Sequence, residues 1–400
     1  RKSSRSKISG NPLPTNLPTS TTTLEIGGHR GHEKYTGTIP TEYGYLTQVT
    51  EFGVGDNLLT GSIPTQIGRM TMMQKSGSFL AMNSFDSSPI PTELGLLTGL
   101  HAAGHLFMVS SYLSSTIPTE MGYLEKLTSI FLLDDNSIKG TIPTELGKMP
   151  LANGLHVKVN SLTGTIPTEV GRFSNIVDAF EVSTNLMTGS IPTEIGNMAK
   201  LLRLFWLHRN DFSSTVPTEL GRLSQGIGNF LVNGNKLTGA LPTELGCLTG
   251  SQRNFFFHNN LFSSTIPTQL GLLSMLLEKF GLDQNSLTST IPTELGRLIQ
   301  ISSYLSIGNN KLSSSLPTQL GQLSLLIDKF WTLNNEGLCG AIPTEIEALV
   351  QRDQYVGDIA YMTDGTSIGQ DCSLRPSPSH APTTSPGPSH APTSHAPTTS

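Results

Sequence analysis

The sequence predicts an α/β repeat solenoid, a pile of short parallel strands and short helical turns that grows along one axis. Three observations predict it. An Ile/Leu/Val-Pro-Thr-Glu/Gln segment recurs thirteen times, at Pro40, Pro64, Pro91, Pro118, Pro143, Pro167, Pro192, Pro217, Pro242, Pro267, Pro292, Pro317 and Pro343, at intervals of 24–27 residues. An Asn stands seven residues before nine of those prolines, at 57, 136, 160, 185, 210, 235, 260, 285 and 310. The residues between alternate apolar and polar, then place leucines at set offsets. A period of this length with Leu and Asn at fixed places marks a leucine-rich repeat.

The elements follow in order within one unit, Phe230 to Leu248. Phe230 and Val232 flank Leu231, so a short strand buries two residues and turns the middle one outward. A buried Asn235 can hydrogen-bond neighbouring backbone, and stacked copies make a ladder. Leu237 and Leu241 point inward. Gly239 allows a tight bend, and Pro242 ends the strand because it has no N–H. Thr243 is placed to cap a short helical or 3₁₀ turn. Leu245 and Leu248 bury that turn, and Gly246 lets it approach the sheet. One unit buries too little alone, so stability needs many. Thirteen coils at the usual strand spacing span roughly 60 Å. Leucine-rich repeats of this kind line a horseshoe, which implies a superhelix with a parallel concave sheet and the turns on its convex side.

The register weakens near the N-terminus. The coils ending at Pro91 and Pro118 are 27 residues long, Asn83 is one place early, and Ser111 stands where Asn is expected. Local bulges are expected there, and a frayed cap before Pro40.

The run Asn-x-Leu-Thr-Gly-x-Ile-Pro-x-x-Leu-Gly-x-Leu resembles the plant-specific class of leucine-rich repeats. The stricter Ile-Pro-Thr-Glu-Leu-Gly resembles secreted and cell-surface repeat families of diatoms. The closing segments, 337–349 and 365–372, are similar to the ends of such arrays, so the resemblance covers roughly residues 35–372. It implies a ligand-binding concave sheet and a second, smaller sheet at Leu-Thr-Gly-Thr-Ile-Pro. It says little about the ligand. Nothing after Cys372 looks like a kinase. Cys339 and Cys372 flank the last coil: a capping disulfide is the first expectation, two free thiols the alternative. A disulfide implies an extracytosolic compartment and leaves Cys247 unpaired.

Composition bounds the rest. The 400 residues carry 14% charged side chains and a net charge of -5, without the basic footprint of a nucleic-acid binder. No apolar run is long enough for a spanning helix. The chain starts at Arg1 without an apolar signal core, which reads as a fragment or processed form whose membrane anchor, if it has one, lies outside this sequence. Residues 1–24 read as a linker, basic at Arg1, Lys2, Arg5 and Lys7 and then Pro/Ser/Thr-rich; 25–372 as the solenoid and its cap; 373–400 as a Ser/Pro/Thr/His-rich spacer. His380, His390 and His395 in that spacer read as incidental.

Two surfaces are candidate sites. The outward middle residues of successive strands are Leu132, His156, Glu181, Trp206, Leu231, Phe256, Gly281, Ser306 and Trp331. Exposed aromatics concentrate binding energy, so Leu132, His156, Glu181, Trp206, Leu231, Phe256 and Trp331 are the candidate ligand face. A one-residue slip would bury them instead. The second candidate is hydroxyl rows beside each Ile-Pro, including Thr141, Thr163, Thr165, Thr188, Thr215, Thr265, Thr288 and Thr290. Such rows resemble the ice-binding faces of solenoid antifreeze proteins. Strand propensity and family consensus already account for Thr there, and Lys139, Pro89, Ala240, Cys339 and Ala341 interrupt the rows. The column Glu120, Glu145, Glu169, Glu194 and Glu219 repeats with the coil and reads as scaffold. His101 and His105 lack a carboxylate partner, and His208 and His258 read as surface residues near the sheet rim. No catalytic, metal or cofactor site is expected. The sequence therefore predicts a non-catalytic extracellular or cell-surface protein that recognises a protein, peptide or glycan, with an ice surface as the alternative partner.

Overall fold

In the computed structural model every proline of the repeat but the last opens the same kind of turn. The structure describes residues 8–374 except 28–33, 77–78, 102–104, 224–225, 251, 353–354, 356 and 358–359. Twelve five-residue 3₁₀ turns, from Thr41–Tyr45 to Thr318–Gln322, each begin at the Thr after the Pro. In the last coil the turn lengthens to an α-helix, Thr344–Val350. The Thr does not cap these turns. No side-chain cap bond exists at Thr243, whose Oγ1 instead meets Glu244 Oε2 at 3.1 Å. The Pro242 carbonyl starts the turn by accepting the Leu245 N–H at 3.2 Å.

Ten parallel strands form the main sheet, running in sequence order from Leu106–Phe107 to Lys329–Trp331. The register holds at the strand centres: Phe180, Phe205, Phe230 and Phe255 pair in succession, as do Glu181, Trp206, Leu231 and Phe256, and the one shift beside them falls between Gln252 and Asn254. The first set is fully buried. Those rings pack in a column along the axis, at 6.2, 4.8 and 5.9 Å between centroids, the outer two pairs stacked and Phe205–Phe230 tilted by 36°. The slip that would have swapped the two faces therefore did not occur. Leu237, Leu241, Leu245 and Leu248 complete each coil's share of the core.

The Asn ladder ties the coils together. Asn235 Nδ2 donates to Val232 O in its own coil and Leu207 O in the coil before, at 3.0 and 3.1 Å, and its Oδ1 accepts the Phe212 N–H at 3.1 Å. Each Asn follows a left-handed residue, such as Arg209 (φ 54°) or Asn259 (φ 53°). The short second sheet is present as two-residue strands, for example Thr188–Gly189 beside Asp211–Phe212. Gly246 does not approach the sheet. A Cβ there would lie 2.4 Å from Gln269 O of the next coil's turn, so this glycine sets how closely turns stack.

The irregular N-terminal coils keep the ladder. Asn83 makes the usual bonds to Val54 O and Leu80 O, and the extra residue is Ser88, whose Oγ accepts the Ile63 N–H. Ser111 replaces Asn with a hydroxyl whose single hydrogen is shared between Leu80 O and Val109 O, at 2.9 and 3.0 Å. Much of the linker expected at 1–24 is docked: Ile8–Pro12 pairs with Lys34–Gly37, and Leu13 and Leu24 are buried. At the other end Cys339 and Cys372 are disulfide-bonded. The strand Ser367–Ile368 adds to Gly337–Gly340 beside that bond. No helix among the described residues is long and apolar enough to cross a membrane.

Candidate ligand-binding face

Period-two alternation puts three outward positions on each strand of the concave sheet. The middle one forms a single row in register, Leu132, His156, Glu181, Trp206, Leu231, Phe256, Gly281, Ser306 and Trp331. Leu132, Trp206, Leu231, Phe256 and Trp331 are half-buried there. Four members differ from the exposed surface expected: His156 is 8% exposed, Glu181 0% and Ser306 1%, and Gly281 is buried. The aromatic faces are not bare. Lys158 Nζ lies 5.0 Å from the Trp206 ring centroid, Lys329 Nζ 4.7 Å from Trp331 and Lys279 Nζ 5.4 Å from Tyr304. Tyr304 leans across a strand to stack on Phe256 at 5.7 Å. The face thus presents amphipathic platforms of ring and ammonium.

A charged cluster closes one end of this row. Lys158 Nζ sits 2.7 Å from Glu181 Oε2 and 3.4 Å from Asp134 Oδ2. His156 Nδ1 lies 3.3 Å from the same Glu181 oxygen. Asp134 Oδ1 accepts the Lys158 backbone N–H at 2.9 Å. Burial pushes the Asp134 carboxyl up to about 6, and Lys158 only partly offsets it. Burial also presses on Glu181, but hydrogen bonds from His156 and Lys158 outweigh it and hold its pKa below the ordinary value. Burial disfavours charge on Lys158 too, yet its carboxylate partners keep its pKa raised. Next to Trp206, burial and the Arg209 charge pull His208 down to about 4. Asp134, His156 and Glu181 each offer a donor atom within 4.8 Å of the others.

No protein-family model matches the chain, and no curated protein sequence matches it. Solved structures do. The Arabidopsis receptor kinase HAESA, in complex with the peptide hormone IDA and the co-receptor SERK1, superposes with a TM-score of 0.72 at 24% identity, covering 90% of this chain and 60% of that one. A TDR receptor gives 0.69 at 22%, covering 83% and 58%. An LRR protein of Leptospira interrogans gives 0.63 at 25%, covering 90% and 94%. The fold is a leucine-rich-repeat solenoid. The chain spans about three fifths of the length of the HAESA and TDR receptor chains.

The solenoid separates the two candidate surfaces. Thr141, Thr163, Thr165, Thr188, Thr215, Thr265 and Thr290 are exposed beside the second sheet and Thr288 is half-buried there, away from the concave row. Some hydroxyls are already used: Thr163 Oγ1 donates to Gly140 O at 3.2 Å. A groove of about 640 Å³ runs past Thr165, Ser190, Pro192, Thr193 and Thr215. The Glu column lies beside it, with Glu194 held by Thr193 at 3.2 Å. His208 and His258 are not plain rim residues. They are half-buried, packed against Trp206 and Phe256 with ring centroids 5.5 and 5.1 Å apart. His105 does not pair with His101 but meets Ser129 Oγ at 2.6 Å and stacks on Phe107. Cys247 is free and exposed. His380, His390 and His395 lie outside the described residues, as do Arg1, Lys2, Arg5 and Lys7.

Sequence reasoning missed the flanking outward residues, Asp134, Lys158, Lys279, Tyr304 and Lys329. The signal was present: they stand two places from the middle row, on the same side of each strand. It also missed Asn335 as a ladder member. Asn335 Oδ1 accepts the Leu312 N–H at 2.9 Å although the residue lies eight places before Pro343.

Proposed function

We propose that this solenoid is a non-catalytic extracellular recognition protein whose concave sheet binds an extended protein or peptide ligand. One observation carries the reading: half-buried Trp206, Phe256 and Trp331 share one in-register row on a rigid sheet, where a ligand running along the axis meets all three. Aromatic anchors on a fixed scaffold bind with little loss of side-chain freedom. The disulfide supports an oxidising compartment. Peptide-hormone complexes of plant receptors with the same fold support a peptide over a glycan. The Trp206→Ala/Phe256→Ala/Trp331→Ala variant tests it. Peptides selected from a random display library on the parent chain should lose affinity for this variant by at least about 100-fold. Equal affinity would contradict the assignment.

A second reading rests on the Thr rows, because the structure leaves most of them exposed at one coil spacing. It assigns them to an ice surface. Thermal hysteresis by the purified chain, abolished in Thr165→Tyr/Thr215→Tyr/Thr265→Tyr, is its expected outcome. Ordinary freezing and unaltered ice-crystal growth would end it.

A further inference from the structure

We propose that Asp134, His156 and Glu181 form a divalent transition-metal site on the concave face, in which the Lys158 ammonium is a stand-in for the metal ion. The three residues come from three successive coils, so the solenoid, not a loop, fixes their spacing; one donor atom from each lies within 4.8 Å of the other two. Two carboxylates and one imidazole make a mixed O/N donor set of the kind that takes Zn²⁺ and its first-row neighbours.

Charge and hydrogen bonding both show that lysine completes this cluster imperfectly. One ammonium stands against two buried carboxylates, whereas a divalent ion matches both. With Lys158 in place, Glu181 Oε1 has no partner although its residue is 0% exposed. His156 Nε2, Trp206 Nε1 and His208 Nδ1 in the same patch are also buried without partners. Buried polar atoms are ordinarily paired, and two of these unpartnered atoms, Glu181 Oε1 and His156 Nε2, belong to the donor residues themselves. Glu181 Oε1 offers a metal a second oxygen from the same carboxylate. Lys158 is free to leave. Its side chain is 28% exposed, against 5% for Asp134 and 1% for Glu181, and it already reaches over the Trp206 ring toward the open face. The site does not depend on the peptide reading, since its donors all belong to this chain.

The test uses the full chain with His380, His390 and His395 changed to Asn, so that the tail adds no ligands. Zn²⁺ is titrated by calorimetry, and Co²⁺ by its visible ligand-field absorption. The expected result is saturable uptake of one ion per chain, weakened at least about tenfold by either His156→Asn or Glu181→Gln. Lys158→Met is expected to move the other way, tightening Zn²⁺ binding because the competing cation is gone, and Zn²⁺ should raise its Tm. That variant keeps the test open if Glu181→Gln fails to fold. The proposal is overturned if neither the parent nor Lys158→Met takes up Zn²⁺ or Co²⁺ saturably, if Lys158→Met binds more weakly than the parent, or if uptake survives His156→Asn/Glu181→Gln unchanged.

Discussion

Removing one rung of the Asn ladder should cost more when its neighbour is also missing. In Asn235→Ala the Phe212 N–H loses its acceptor, Asn235 Oδ1. The Leu207 and Val232 carbonyls each lose one of two donors, because Asn210 Nδ2 still reaches Leu207 O at 3.1 Å and Asn260 Nδ2 still reaches Val232 O at 3.1 Å. An orphaned buried N–H costs about 1–3 kcal/mol and each lost net bond about 0.5–1.5, so Asn235→Ala should destabilise by about 3 kcal/mol. Adding Asn210→Ala strips the last Asn donor from Leu207 O. The double variant should therefore exceed the sum of the singles by about 1 kcal/mol or more, the mark of a shared partner. Asn160 shares no carbonyl with Asn235, since its amide reaches Leu133 O and Val157 O. Asn160→Ala/Asn235→Ala should be additive within about 0.5 kcal/mol. The assay is equilibrium urea unfolding, followed by both fluorescence and circular dichroism so that coincident transitions justify each free energy. Equal coupling for the adjacent and the distant pair would refute the shared-carbonyl reasoning.

Three further outcomes follow from the same geometry. Gly171→Ala would place a Cβ 2.6 Å from Glu194 Cβ and 2.7 Å from Glu194 O, and should destabilise by about 2 kcal/mol in urea, as overpacking does. Cys339→Ser/Cys372→Ser opens a bond across a sequence separation of 33 and should cost about 3 kcal/mol, with amides near Gly340 and Ile368 exchanging earliest. His208 is lowered from 6.5 to about 4, so its neutral form belongs to the fold: its contribution is full above pH 6.5 and lost as pH falls toward 4. Discounted for partial exposure, His208→Asn should remove about 2 kcal/mol of acid sensitivity between those limits, measured in EDTA as Tm against pH.

The period carried most of the fold into view. A fixed 25-residue interval forces equivalent residues into columns, so Phe230 and Leu231 had to face opposite ways in every coil. Local chemistry was less legible. Thr243 has the composition of a cap, yet the Pro242 carbonyl already begins a 3₁₀ turn, so its hydroxyl turns to Glu244. Gly246 looked like a sheet contact because one coil shows no neighbours; the contact is with Gln269 of the next coil. Asn83 and Asn335 were out of register only in numbering, since the chain absorbs an extra residue after each and keeps the rung. The candidate face was visible as its middle row alone. Its charged partners lie on neighbouring coils, about 25 residues away in sequence, where one unit read alone gives no sign that Lys158 meets Glu181.

Hydrogen exchange on the chain with and without a library-selected peptide tests the central claim most directly. Protection along Leu204–Trp206, Gln252–Phe256 and Lys329–Trp331, with the Thr163–Thr165 and Thr188–Ser190 segments unaffected, is the expected footprint. Protection confined to those Thr segments, with the strands exchanging as in the free chain, would contradict recognition by the concave face.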